Sequence, residues 1–171
     1  PHEEQVTDLR DVIENVASVL RARASQQNVV ITCGYRGVIP PLKASPVVIR
    51  EILFNVMQNG VQSMNHGGSL SVSVIHPAPE AEKESVRVVV KDTGPGISES
   101  DMPNIFEPFY TTREGGAGLG LWIVREKLTD LGGGILIESK NGTTVTMVIP
   151  VEPGAATQPA APEKSETGEQ K

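Results

Sequence analysis

Asp92-Thr93-Gly94-Pro95-Gly96-Ile97 and Gly116-Ala117-Gly118-Leu119-Gly120-Leu121 decide how this chain reads. The first stretch places a carboxylate at the end of an apolar strand, Val86 to Val90, and turns the chain at once. Asp92 can accept a hydrogen bond from an exocyclic amine such as adenine N6, which selects adenine over guanine. Glycine at 94 and 96 lets backbone come close to a flat base. A strand-end Asp also starts an Asx-turn, so Asp92 alone leaves both readings open. The second stretch places small residues where the chain enters a helix, whose first N–H groups and positive dipole suit the phosphates of ATP. A Gly-x-Gly-x-Gly run alone is equally a loop feeding a helix. Both stretches in this order, with an asparagine-bearing helix upstream, point to a nucleotide site.

That upstream helix opens at Ser45-Pro46, with Ser45 as N-cap and Pro46 at the first helical position. Ile49, Ile52, Leu53, Val56, Met57, Gly60, Val61 and Met64 follow at helical spacing as a core stripe. Glu51, Asn55, Asn59 and Gln62 form a polar ridge on its flank. An amide oxygen at Asn59 suits a hard cation such as Mg²⁺, which binds through few protein oxygens plus substrate phosphates. Asn55 lies one turn earlier on the same side and can orient a water or the reacting phosphate. Two asparagines alone also fit a satisfied helix edge; the motifs downstream tip the balance. Thr112 and Arg113, ahead of the second glycine run, can add hydroxyl and charge contacts to the terminal phosphates or stay solvated. Phe106 and Phe109 fall in the same irregular segment, either as anchors of a lid or as ordinary core filling.

The rest of the chain supplies a frame. Leu9, Val12, Ile13, Val16 and Leu20 make the stripe of a first helix over residues 6 to 26, capped by Thr7 or Asp8. Val29 to Tyr35 reads as a strand in which Cys33 is a buried, inert thiol. Leu70, Val72 and Val74 alternate with serines, and Val86, Val88 and Val90 follow across a loop from His76 to Glu84. Glu99 to Ile105 reads as a short helical turn, and a third helix runs from Gly118 to about Leu131. Ile135 to Ser139 and the alternation Val145, Met147, Ile149 are joined by an Asn141-Gly142 turn. Three helices and about five mostly antiparallel strands predict an α/β (α+β) two-layer sandwich, one mixed sheet with the helices on one face. Residues 1–151 read as one domain. Residues 152–171 hold no large apolar residue and read as a disordered tail.

Composition excludes several classes. A length of 171 residues with 38% hydrophobic content suits one cored domain. A net charge of -6 without a basic patch argues against nucleic acid as a partner. The single cysteine rules out a disulfide framework and a cysteine zinc site. No apolar run approaches the roughly 18 residues of a membrane span, and no signal peptide opens the chain, so a cytoplasmic domain is expected. Starting at Pro1 without methionine, the chain reads as a piece of something longer. There is no G-x-x-x-x-G-K-[ST] loop, no H-R-D or D-F-G set, and no Ser/His/Asp or Cys/His pairing. His2, considered as a phosphate acceptor, sits in a fraying terminus.

Together these residues resemble the catalytic, ATP-binding domain of sensor histidine kinases, in the superfamily shared with gyrase B, Hsp90 and MutL. Glu51 to Met64 resembles the N box, Asp92 to Gly96 the G1 box, Ile105 to Thr112 the F box, and Gly116 to Leu121 the G2 box. Leu131 to Ser139 and Gly142 to Pro150 resemble the closing strands, so the likeness covers residues 6 to 151. The short lid and the Gln62-Ser63-Met64 ending look most like the nitrogen- and oxygen-sensing group.

The resemblance implies a Bergerat sandwich with ATP between the N-box helix and the lid. Asn59 would coordinate Mg²⁺, and Asn55 would hold the catalytic place where gyrase-type relatives carry a general-base glutamate. Asp92 would bind the adenine amine, with Gly94, Gly96 and Ile97 beside the base. Gly118 and Gly120 would line the phosphates, with Thr112, Arg113, Gly116 and Leu119 as further nucleotide-binding residues, and Thr143 would support the adenine water network. Gly60 departs from the usual Ala and would loosen its helix slightly; Ala117 replaces a frequent Thr and removes one phosphate hydroxyl. The family's acceptor histidine lies on a separate dimerisation domain upstream, and His2 is too close to Asn55 to be it. The implied activity is γ-phosphoryl transfer from ATP to that upstream domain, with a response regulator receiver domain as a further partner. A monomeric fragment of a homodimeric protein, membrane-anchored or soluble, is expected. The rivals are an anti-sigma-type serine kinase, disfavoured by the F box and by Gly118 to Val124, and a nucleotide-binding module without transfer activity, disfavoured by Asn59 and Asp92.

Overall fold

The computed structural model describes residues 5–79 and 81–153; His2 and the expected tail from residue 154 onward lie outside them. Strands β1 (Val29–Arg36), β2 (Gly68–Ile75), β3 (Ser85–Asp92), β4 (Gly134–Ser139) and β5 (Thr143–Pro150) form one sheet in the order β1-β2-β3-β5-β4. β1 and β2 are parallel and every other neighbouring pair is antiparallel. The parallel pair is joined through helix α2 (Pro46–Ser63), the crossover that parallel strands require. Two-residue alternation buries Leu70, Val72, Val74, Val86, Val88, Val90, Met147 and Ile149 on one face. Helices α1 (Leu9–Gln26), α2 and α3 (Gly120–Asp130) complete the two-layer sandwich there.

α2 is the centre of the helical layer. Ile49, Ile52, Leu53 and Met57 are fully buried between the sheet and the flanking helices, each burial contributing about 1.5–3 kcal/mol. Ser45 is its N-cap residue and Pro46 its first helical residue, although the Ser45 hydroxyl makes no capping bond. α1 is capped by Asp8, whose Oδ1 accepts the Asp11 N–H at 3.2 Å. Thr7, the other expected cap, is buried and donates its hydroxyl to the Ala44 carbonyl at 2.7 Å. It thereby ties the chain ahead of α1 to the chain ahead of α2.

Three expectations are corrected. α3 begins at Gly120, two residues later than expected, because Gly118 sits at φ +71°, outside the right-handed helical region. The turn after the G1 box shrinks to one 3-10 turn, Met102–Asn104. Cys33 is half-buried, because it lies in an edge strand whose cover thins from Val29 and Ile31 toward Tyr35. Burial, then the Glu14 carboxylate, still push the thiol pKa above its ordinary value, which disfavours the reactive thiolate. Glu152, the first residue of the expected tail, is held by Lys43 at 3.0 Å. Among the described residues, no helix is long and apolar enough to cross a membrane.

Candidate functional site

The site residues gather where β3 ends, between α2 and the start of α3. Asp92 is the last residue of β3 and is only 6% exposed. Its Oδ1 accepts two backbone N–H groups, from Gly94 at 2.9 Å and Thr143 at 3.1 Å. Both hydrogen bonds to the carboxylate end on that one oxygen, which leaves Oδ2 for an incoming donor. Burial raises the Asp92 pKa above its ordinary value, opposed by the two N–H groups and the positive charge of Arg113. The Asx-turn and a ligand-facing carboxylate are therefore compatible, because the turn uses Oδ1 alone.

The β4–β5 turn makes this possible. Asn141-Gly142 has positive φ at both residues, as a tight hairpin turn requires. Gly142 packs so closely on β3 that a Cβ there would lie 2.1 Å from the Asp92 carbonyl oxygen. Only glycine brings the start of β5 near enough for Thr143 to donate to the Asp92 side chain. Ser139, at the end of β4, accepts the Ile97 N–H at 2.7 Å and fixes the far end of the Gly94–Ile97 loop. Sequence reasoning missed Ser139 and Gly142 as parts of the site. The Asn-Gly turn signal was visible, but not what the turn rests on.

The asparagine ridge faces the other wall. Asn55 and Asn59 are half-buried on α2. The Asn55 Nδ2 donates to the Glu51 carbonyl at 2.9 Å. A Cβ on Gly120 would lie 3.2 Å from the Asn55 Oδ1 and 3.8 Å from the Asn59 Nδ2, so the ridge runs directly under the start of α3. No side chain caps that start: Leu119 occupies the N-cap position without a capping bond. The first-turn N–H groups of α3 are thus left without a side-chain acceptor.

The segment between holds Thr112, Arg113 and Gly116, all exposed. Phe109 is exposed at 75% and at φ +67°, and its N–H donates to the Gly118 carbonyl at 2.8 Å. Phe106 lies instead under the Arg125 guanidinium, 5.2 Å from the ring centre. Neither phenylalanine fills the core, as one reading expected: Phe106 is docked against Arg125 of α3 and Phe109 is turned to solvent. Arg113 reaches across to α2. Its Nη1 donates to the Asn59 Oδ1 at 3.0 Å and the Gln62 Oε1 at 2.7 Å, and its Nη2 to the Asn59 carbonyl at 2.9 Å.

Such a cleft, walled by a helix, a strand-end acid and a glycine-rich segment, defines a nucleotide-binding domain of the Bergerat type. The family model described as histidine kinase-, DNA gyrase B-, and HSP90-like ATPase matches residues 44–153, and the chain belongs to that family. Sporulation kinase D of Bacillus subtilis (strain 168) is 34% identical over 150 residues, which cover 86% of this chain and 29% of that protein. The catalytic domain of histidine kinase ThkA superposes with a TM-score of 0.77 at 28% identity, covering 88% of this chain and 97% of that domain. A crystal structure of ThkA in complex with response regulator protein TrrA matches at a TM-score of 0.71 and 25% identity, over 87% of this chain and 42% of that one. The chain thus spans under a third of the length of sporulation kinase D, while it matches almost all of the ThkA catalytic domain.

Proposed function

We propose that this chain is the ATP-binding catalytic domain of a sensor histidine kinase, passing the γ-phosphoryl group to a histidine on an upstream dimerisation domain. The observation that carries the site is the division of labour at Asp92, with Oδ1 consumed by backbone and Oδ2 left for an amine. On this reading Asp92 holds adenine, with Gly94, Gly96 and Ile97 beside the base. Thr112, Arg113, Gly116, Gly118, Leu119, Gly120 and the N–H groups of α3 hold the phosphates. Thr143 acts through its N–H on Asp92. Residues 1–151 are the domain, residues 152–171 a tail, and the domain works in the cytoplasm, where its ATP is found.

Mg²⁺ belongs to the same proposal. Among the described residues no cluster of three His, Cys, Asp or Glu side chains can hold a metal ion. Mg²⁺ needs no such cluster, since it keeps several waters and binds through few protein oxygens plus substrate phosphates, a role the Asn59 amide oxygen would fill. The Asn59 Oδ1 already accepts from one cation, the Arg113 guanidinium, so its oxygen suits positive charge. Bound there, Mg²⁺ would neutralise phosphate charge as transfer proceeds.

The chemistry asks little covalent work of the protein. The N–P bond to the acceptor imidazole forms while the Pγ–O bond to ADP breaks, and catalysis is positioning plus charge stabilisation. A neutral imidazole brings its own lone pair and needs no base. Asn55, an amide without a basic group, can orient a phosphate oxygen but cannot deprotonate water, which favours transfer over hydrolysis. The ThkA–TrrA complex supports a receiver domain as the later partner.

Incubating the chain with γ-labelled Mg-ATP and the parent protein's upstream helical segment tests this. Acid-labile, alkali-stable label on that segment is expected. Acid-stable label would favour the anti-sigma-type serine kinase, and binding without transfer, even in the tethered parent protein, would favour a nucleotide module.

A further inference from the structure

We propose that Arg113 is a latch: a cation of the chain itself that holds the lid on α2 through the metal-side oxygen of Asn59 and that Mg-nucleotide must displace. The inference rests on the nucleotide-site reading above and concerns how that site opens.

Three acceptor oxygens converge on one guanidinium: the Asn59 Oδ1 and the Gln62 Oε1 on Nη1, and the Asn59 carbonyl on Nη2. This is the last turn of α2, the negative end of the helix dipole, and that turn carries no basic residue of its own. Arg113 brings the missing charge from 54 positions away in the chain. The segment it belongs to, residues 111–117, is exposed throughout. The other hydrogen bonds of that segment are local, between Thr111, Arg113 and Gly116. At the base of the lid, Tyr110 donates to the Asp101 Oδ1 at 2.5 Å and Phe109 donates to Gly118. The base is therefore fixed to its own surroundings, and Arg113 is what carries the tip onto the helix.

A metal ion on the Asn59 Oδ1 would stand beside the Arg113 guanidinium bound to the same oxygen, so the two cations would repel each other and compete for it. Loading the Asn59 Oδ1 with metal therefore evicts Arg113, and evicting Arg113 releases the lid tip. Metal binding and lid opening become a single event, coupled through one atom. Gln62 is the element specific to the latch: its oxygen makes the shortest of the three bonds and belongs to no proposed nucleotide or metal contact.

The test combines amide hydrogen exchange of residues 106–117 without nucleotide and stopped-flow binding of Mg-ADP. ADP lacks the γ-phosphate that Arg113 could contact after release, and Trp122 in α3 offers the fluorescence signal. Arg113→Ala should speed lid exchange about tenfold and raise the association rate several-fold, the scale of losing charge-assisted hydrogen bonds at an exposed site. Gln62→Ala should move both quantities the same way by less, with the dissociation rate unchanged. Unaltered lid exchange in both variants would overturn the latch. So would an Arg113→Ala variant that only dissociates faster beside a Gln62→Ala variant identical to the parent, since that pattern marks a phosphate contact alone. Failure of the parent protein to bind Mg-ADP would instead refute the site reading, and the exchange measurement, made without nucleotide, would still decide the contact.

Discussion

Asp92→Asn is the sharpest perturbation of the site, because the structure dictates which way the new amide must face. The Gly94 and Thr143 N–H groups both donate to Oδ1, so the amide oxygen has to take that position. The NH₂ group then stands where Oδ2 stood, pointing a donor at the adenine amine, itself a donor. The loss has two parts: a charge-assisted hydrogen bond, about 1.5–3 kcal/mol, and a donor buried without a partner, about 1–3 kcal/mol. A total of about 2.5–6 kcal/mol raises the Kd for ATP by roughly two to four orders of magnitude. The fold should tolerate the change, because burial already penalises the ionised carboxylate. Calorimetric titration with ATP and with ITP gives the decisive readout. ITP presents a carbonyl at position 6, so its affinity relative to ATP should rise in the variant by at least an order of magnitude. An Asp92→Asn protein that melts normally and binds ATP within a few-fold of the parent would refute the adenine assignment. An unchanged ITP:ATP ratio would refute the donor–acceptor logic.

Three further predictions follow from the same geometry. Because Oδ1 is occupied, a proton taken up by Asp92 goes to Oδ2; ATP affinity of the parent should fall as pH drops through the raised pKa, above the ordinary 3.8, while Asp92→Asn stays flat in a pH series of titrations. The linked stability runs the opposite way: a carboxyl whose folded pKa is raised contributes most below its unfolded value, and that contribution is lost as pH rises through the folded one. Gly118→Ala would put a Cβ 2.4 Å from the Phe109 carbonyl carbon at a left-handed φ, so it should dislodge the lid base and weaken ATP binding at least tenfold, with a melting temperature close to the parent's. Gly60→Ala, which restores the commoner N-box residue, would place a Cβ 2.4 Å from the Leu70 Cδ1 and should destabilise by about 1–2 kcal/mol in urea unfolding. Adding Leu70→Val should recover part of that loss.

The Gly60 case shows where the sequence was legible and where it was not. Helix propensity alone makes glycine a slight loosening of α2, and that reading is local. The structure shows Leu70 filling the space that the missing methyl group leaves, a contact between a helix and a strand that propensity cannot report. Local signals elsewhere were sufficient. Alternation placed Val72, Val88 and Met147 on the buried face, and Asn141-Gly142 announced its turn. The ridge of Asn55, Asn59 and Gln62 followed from helical spacing. What escaped were contacts fixed by strand register or by side-chain reach: Ile97 to Ser139, Asp92 to Thr143, and Arg113 to Asn59. The start of α3 escaped for a related reason. Gly118-Leu119-Gly120 reads as helix locally, yet the Gly118 carbonyl is committed to Phe109.

The register of β3 against β5 explains why the acid stands at position 92 and not one residue to either side. Val90 pairs with Val145 and Lys91 with Thr144, which is the last pair of the ladder. Val90 faces the core, and Lys91, one residue on, faces the open side of the sheet and is exposed. A carboxylate at 91 would therefore point away from α2. Position 92 returns to the buried face just as the ladder ends, so the next donor along β5, the Thr143 N–H, turns to the side chain. Position 93 lies beyond the strand, and Thr93 uses its hydroxyl to accept the Ser69 N–H at 3.0 Å. Only at 92 do a core-facing direction, a freed backbone donor and proximity to α2 coincide. The cost is a buried carboxylate whose ionised form burial disfavours, and the amine-donor site proposed for Asp92 is a function that would offset such a cost.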